Sequence, residues 1–123
     1  MRKRSHSKVR PFGDLEAVVM DHLWAADEPL TVRDVLERID RDPPLAYTTV
    51  MTVMDNLHRK GVVTRQREGR AFRYRPTKDR AAHTADLMHE LLSGSGDSSV
   101  TLLRFLDTMS PAEVKKLKRA LGD

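Results

Sequence analysis

The apolar residues of this 123-residue chain switch at Gly61 from helical to strand period, and that change limits the fold more than any other feature. Before it, apolar residues recur at helical spacing; after it, two short runs alternate with a period of two. Leu15, Val18, Val19, His22 and Leu23 share one stripe of a helix expected to begin near Phe12 or Gly13 and to stop at Asp27-Glu-Pro29. Proline ends it by removing a backbone donor and pushing its neighbour out of the helical region. Thr31-Val-Arg-Asp34 fits a relaxed capping box, and Val32, Val35, Leu36 and Ile39 give the second helix one apolar face, closed by Asp42-Pro-Pro44. A third helix is expected from about Ala46 to Lys60, with Val50, Val53, Met54 and Leu57 on its buried stripe. Gly61 suits the position just past its end, where a positive φ is common.

The two alternating runs are Val62-Val-Thr-Arg-Gln-Arg67 and Ala71-Phe-Arg-Tyr-Arg75. Glu68-Gly-Arg70 between them suits a tight turn, with Gly69 able to take a positive φ. Phe72 and Tyr74 alternate with Arg73 and Arg75, which predicts a hairpin with one apolar and one basic face. Three helices followed by a basic hairpin is the order of a winged helix-turn-helix, whose last helix can enter a major groove.

Charge agrees with a polyanionic partner. Residues 1–80 hold 17 Lys/Arg against 12 Asp/Glu, whereas residues 81–123 hold 5 against 6. One basic cluster is Arg2, Lys3, Arg4, Lys8 and Arg10; the other runs from Arg59 to Arg80, opposed by Glu68 and Asp79. Such stripes suit double-stranded DNA, although a solvated face would show the same composition.

On the third helix, Thr48, Thr49, Met51 and Thr52 lie opposite the apolar stripe and can offer hydroxyls or methyls to base edges. Arg59, Lys60, Arg70 and Arg73 are expected at phosphates. Tyr47 is either a phosphate ligand or a hydrophobic staple. A winged helix used as a protein-interaction module is the rival reading; binding to nucleic acid at two salt concentrations separates the two.

Beyond Pro76, a fourth helix is expected over 79–92, with Ala81, Ala82, Ala85, Met88 and Leu92 as its apolar face. A Gly/Ser linker follows at 93–99. A fifth helix is expected from Ser99 or Val100 to Thr108, and Ser110-Pro-Ala-Glu113 starts a sixth. Leu102, Leu103, Phe105, Leu106, Val114, Leu117 and Leu121 give these two helices apolar stripes with no domain core of their own to cover them. Pairing with a second copy would cover them. The chain thus divides into a basic arm (1–10), a winged head (11–77) and a helical dimerisation region (78–123). The fold class is mainly α with a small β-hairpin wing.

Several classes drop out. With no cysteine there is no disulfide, zinc ribbon or thiol nucleophile, and no apolar run approaches a membrane span, so a cytoplasmic protein without membrane insertion is expected. No phosphate loop or catalytic constellation emerges, so neither an enzyme nor a cofactor is expected. His83, Asp86, His89 and Glu90 share part of one helix face, a pattern that fits an exposed polar face better than a metal site. No metal is expected.

Leu45-Ala-Tyr-Thr-Thr-Val-Met-Thr-Val-Met54, followed by Leu57 and Lys60-Gly61, resembles the recognition helix of the penicillinase-repressor and methicillin-resistance-regulator family. Leu15-Glu-Ala-Val-Val-Met-Asp-His-Leu-Trp24 resembles that family's first helix and Phe72-Arg-Tyr74 its wing. The resemblance implies a homodimeric repressor binding a near-palindromic operator and controlling antibiotic-resistance or cell-envelope stress genes. It also implies, for many members, control by a membrane sensor protease leading to cleavage in the C-terminal region. That position falls at Arg104-Phe105, where Arg replaces the Asn of the staphylococcal pattern. The copper-responsive branch uses a C-terminal cysteine cluster, which this chain lacks.

Overall fold

The computed structural model describes residues 12–122; the expected basic arm lies outside them. The elements are α1 (Asp14–Ala25), α2 (Val32–Arg38), α3 (Tyr47–Arg59), β1 (Val63–Glu68), β2 (Ala71–Pro76), α4 (Arg80–Ser93), α5 (Ser98–Asp107) and α6 (Pro111–Ala120). They fall into two compact units that part between Thr84 and Ala85, inside α4.

The head is held by one apolar cluster. Val19, Met20 and Leu23 of α1 meet Val32 and Val35 of α2, Val50, Met54 and Leu57 of α3, and Leu30, Val63 and Tyr74 from the wing and its approach. Burying each such side chain contributes about 1.5–3 kcal/mol. The buried arc of α1 is turned toward Met20, away from the expected stripe, and Leu15, Val18 and His22 are only half-buried. The reason is that α1 packs on three partners, α2, α3 and β2, rather than on one.

The start of α2 is fixed by its capping box: the Asp34 amide donates to Thr31 Oγ1 and the Thr31 amide to Asp34 Oδ2, both at 3.0 Å. The backbone amide of Thr31 holds the Asp34 carboxyl below its ordinary value, helped by the Thr31 hydroxyl and the charge of Arg73. A depressed carboxyl stabilises the fold above roughly pH 4, and that share is lost as pH falls through the lower folded value. Thr31→Ala is expected to cost about 0.5–2 kcal/mol in thermal or urea denaturation at neutral pH. Most of that cost should persist in acid, because alanine keeps the backbone amide that holds the Asp34 carboxylate; a deficit that vanished as the carboxyl protonated would show that the Thr31 hydroxyl acts through the carboxylate instead.

The hairpin is antiparallel, with Glu68 opposite Ala71, so Gly69 (φ +63°) and Arg70 alone form the turn. This register corrects the expected division into one apolar and one basic face. Arg65 pairs with Tyr74 and Arg67 with Phe72, and directly paired residues share a face. The aromatic face therefore also carries two arginines, whose guanidinium groups stack on Phe72 with centroid distances of 4.2 and 5.3 Å. Leu30 adds a bridge on the outer side of β2, exchanging two backbone hydrogen bonds with Tyr74 at 2.9 and 2.8 Å.

The expected apolar face of α4 is also corrected. Ala81, Ala82, Ala85 and Met88 are exposed and Leu92 is half-buried. The buried residue of this helix is His83, whose ring stacks on Phe12 at 4.7 Å and lies 5.7 Å from the Trp24 ring. A flat stack on Phe12 and a tilted contact with Trp24 seat the first turn where the small alanines offer little area. The expected linker narrows, because α4 runs to Ser93 and Asp97 caps α5 by accepting from the Ser99 and Val100 amides at 3.0 and 3.3 Å. Ser110 and Glu113 form the expected capping box of α6.

Candidate nucleic-acid interface

The two faces of α3 differ completely. Val50, Met54 and Leu57 are inaccessible to solvent, while Thr48, Thr49, Met51 and Thr52 are exposed. A single helix anchored by one stripe thus presents three hydroxyls and a thioether outward, within less than two turns. Tyr47, at the first position of the helix, is 41% exposed. The Arg33 guanidinium of α2 stands 5.2 Å from its ring centroid, which fixes the tyrosine at the surface between α2 and α3.

The candidate phosphate ligands differ in what already holds them. Arg59 pairs with Asp55 at 3.4 Å and donates to Asn56 Oδ1. Lys60 reaches back to Glu16 at 2.7 Å, and Glu16 also accepts from the Gly13 amide at 3.2 Å. The ammonium therefore ties the end of α3 to the start of α1. Arg73 donates to Glu68 at 2.5 Å and to the Pro29 carbonyl at 3.2 Å, and it lies 3.7 Å from Asp34. Arg70 is exposed in the wing turn.

Two further residues belong to this surface. Arg65 donates to Asp55 Oδ1 of α3 and to the Tyr74 hydroxyl, each at 3.3 Å. Period-two counting outward from Val63 places Arg65 on the inner face and is the signal that identifies it. Arg33 carries no comparable signal, because it lies among alternating charges on a short helix.

A cavity of about 750 Å³ lies along the wing, lined by Glu28, Pro29, Arg65, Arg67, Arg73 and Arg75 among others. Its guanidinium groups are largely engaged by the head's own carboxylates and rings. Among the described residues no group of three or more His, Asp or Glu side chains is placed to hold a metal. No helix among them is long and apolar enough to cross a membrane.

In the C-terminal unit neither α5 nor α6 contains a buried residue. Leu102, Leu103, Phe105, Leu117 and Leu121 are exposed, Leu121 at 76%, and Leu106 and Val114 are half-buried. Arg104 and Phe105 lie inside α5, and both are exposed.

The penicillinase repressor family model matches residues 12–123. The transcriptional regulator BlaI of Mycobacterium tuberculosis is 42% identical over 120 residues, covering 95% of this chain and 87% of that protein. The penicillinase repressor of Bacillus licheniformis is 25% identical over 120 residues, covering 94% and 93%. The solution structure of the DNA-binding domain of the repressor BlaI superposes with a TM-score of 0.52 at 25% identity, over 62% of this chain and 92% of that chain. The Staphylococcus aureus MepR–DNA complex gives 0.50 at 16% identity over 80% and 82%, a likeness of fold alone.

Proposed function

Because the chain belongs to the penicillinase repressor family, non-enzymatic transcriptional repressors with a winged-helix DNA-binding fold, we propose that it acts as a homodimer on a near-palindromic operator. One observation carries the reading of the head: the exposed Thr48, Thr49, Met51 and Thr52 stand opposite a fully buried stripe, beside an arginine-rich wing. Major-groove base edges offer donors, acceptors and thymine methyls, and threonine can meet all three. Tyr47 and Arg70 contact phosphates. Arg59, Lys60 and Arg73 do so only by exchanging Asp55, Glu16, or Glu68 and Asp34, for a phosphate oxygen, so they contribute less than their charge suggests.

Operators for the test come from selecting duplexes out of a random pool with the full chain. Thr49→Ala and Thr52→Ala are each expected to weaken binding to the selected duplex by about 1–3 kcal/mol for every well-made interaction with a base edge that the substitution removes. Binding to an unrelated duplex should hardly change. Arg70→Ala is expected to weaken both and to lower the slope of log K against log salt by about 0.9. Unaltered affinity of both threonine variants for the selected duplex would refute the assignment of the reading face.

A further inference from the structure

Asp55 is the only carboxylate on α3, and its position is awkward for a helix that meets a polyanion. It lies on the same stripe as Thr48, Thr52 and Arg59, with Thr52 and Arg59 at the spacings of three and four that make helix neighbours. A bare carboxylate there repels phosphate. Two guanidinium groups flank it: Arg59 one turn on, and Arg65 from the wing.

The second partner carries the inference. Arg65 keeps only 25% of its side-chain surface exposed. Its guanidinium is held on several sides at once, by Asp55 of α3, by the Tyr74 hydroxyl, and by the Phe72 ring beneath it. Tyr74 is itself in the core and bridged to Leu30. A two-stranded hairpin has little stability of its own, and beyond Arg65 β1 runs exposed to the Gly69-Arg70 turn, while Phe72 and Arg73 of β2 stay half-buried and Arg73 reaches Pro29 and Asp34 rather than α3. Arg65 is thus the outermost strut between the wing and α3, and it is planar and fixed where a lysine would be mobile.

We infer that Arg65, acting through Asp55, sets the angle between the wing and the third helix, so that both meet one duplex in register. Arg65 is a positioning residue, and Asp55 is retained on a DNA-facing helix because it is the strut's anchor. The inference rests on the DNA-binding reading above and adds to it how base contacts and wing contacts are made simultaneously.

Charge alone and positioning predict opposite results for one substitution. Asp55→Asn removes a negative charge facing DNA, so by charge alone it tightens binding to every duplex. By positioning it weakens binding to the selected duplex about three- to tenfold, in the range of pairwise couplings, while affinity for an unrelated duplex stays level or rises. Arg65→Gln should give the same loss of preference, and the double variant should be no worse than Arg65→Gln alone. Arg65→Lys keeps the charge and so the salt slope, yet should still lose preference. In the absence of DNA, amide hydrogen exchange of the β1–β2 ladder in the full chain should speed up in either single variant and no further in the double. Tighter binding of Asp55→Asn to selected and unrelated duplexes alike, or additive effects of the two substitutions, overturns the inference. A parental chain that enriches no duplex overturns the DNA-binding reading instead. The exchange data then judge the strut alone: non-additive loss of protection supports it, and additive or absent loss refutes it.

Discussion

Truncation after Ser93 is expected to lower affinity for the selected operator by about two to four orders of magnitude, the range in which linked binding exceeds single-site binding. The removed segment holds Leu102, Leu103, Phe105, Leu117 and Leu121, all exposed in the single chain. Apolar patches of that extent are rarely left uncovered on a monomer. A second copy related by a two-fold axis would hide both sets and present two third helices to half-sites one helical turn or a multiple apart. The head keeps its whole apolar cluster in the truncated chain, since every member lies between Val19 and Tyr74. Its far-ultraviolet signal and melting should therefore persist. Sedimentation should show a dimer for the full chain and a monomer for the head. A monomeric full chain at micromolar concentration, or a truncated head that still sediments as a dimer, would place the pairing surface elsewhere.

Leu57→Ala should rank among the largest losses of stability from any truncation to alanine in the head. Leu57 has no exposed surface, and it packs where α3 turns into the wing, its carbonyl accepting from the Val62 amide at 3.2 Å. Truncating such a side chain costs about 2–5 kcal/mol, against a total of about 5–15 kcal/mol for a typical domain. The melting temperature should fall by on the order of 10 °C or more. Thr52→Ala, one and a half turns earlier on the opposite face, should leave melting within about 0.5 kcal/mol of the parent. Similar melting shifts for the two variants would mean that α3 is not anchored by the stripe described here.

The order of elements in the head is legible in the sequence because each boundary has a local cause. Thr31 and Asp34 satisfy each other's amides, Gly61 and Gly69 take the positive φ their turns require, and Val50, Met54 and Leu57 fall on one stripe whatever surrounds them. The exposed face of α3 follows from that stripe by elimination. The partners of the cations do not follow in the same way. Lys60 meets Glu16 from 44 residues away, and Arg73 meets the Pro29 carbonyl across the same separation. No local rule links such residues; tertiary packing alone brings them together. The hairpin faces escape a local reading for a narrower reason. Alternation within β2 is plain, but which β1 residues share its aromatic face depends on register, and the two-residue turn sets it. In α4, small alanines mimic an apolar face, while ring contacts with Phe12 and Trp24 decide which side is buried.

Among the described residues the wing has one uncovered margin. Leu30 covers the outer side of β2, but β1 is a sheet edge, and open edges invite strands of other molecules to join them. Its sequence from Thr64 to Arg67 alternates polar with charged side chains, Arg65 and Arg67, before Glu68 ends the strand. Like charges brought together across a new edge repel, so the cations that suit the wing to DNA also keep two wings from joining through their edges. Stripping arginines from β1 would therefore trade solubility along with DNA affinity: such variants should aggregate in low salt at concentrations where the parent stays clear.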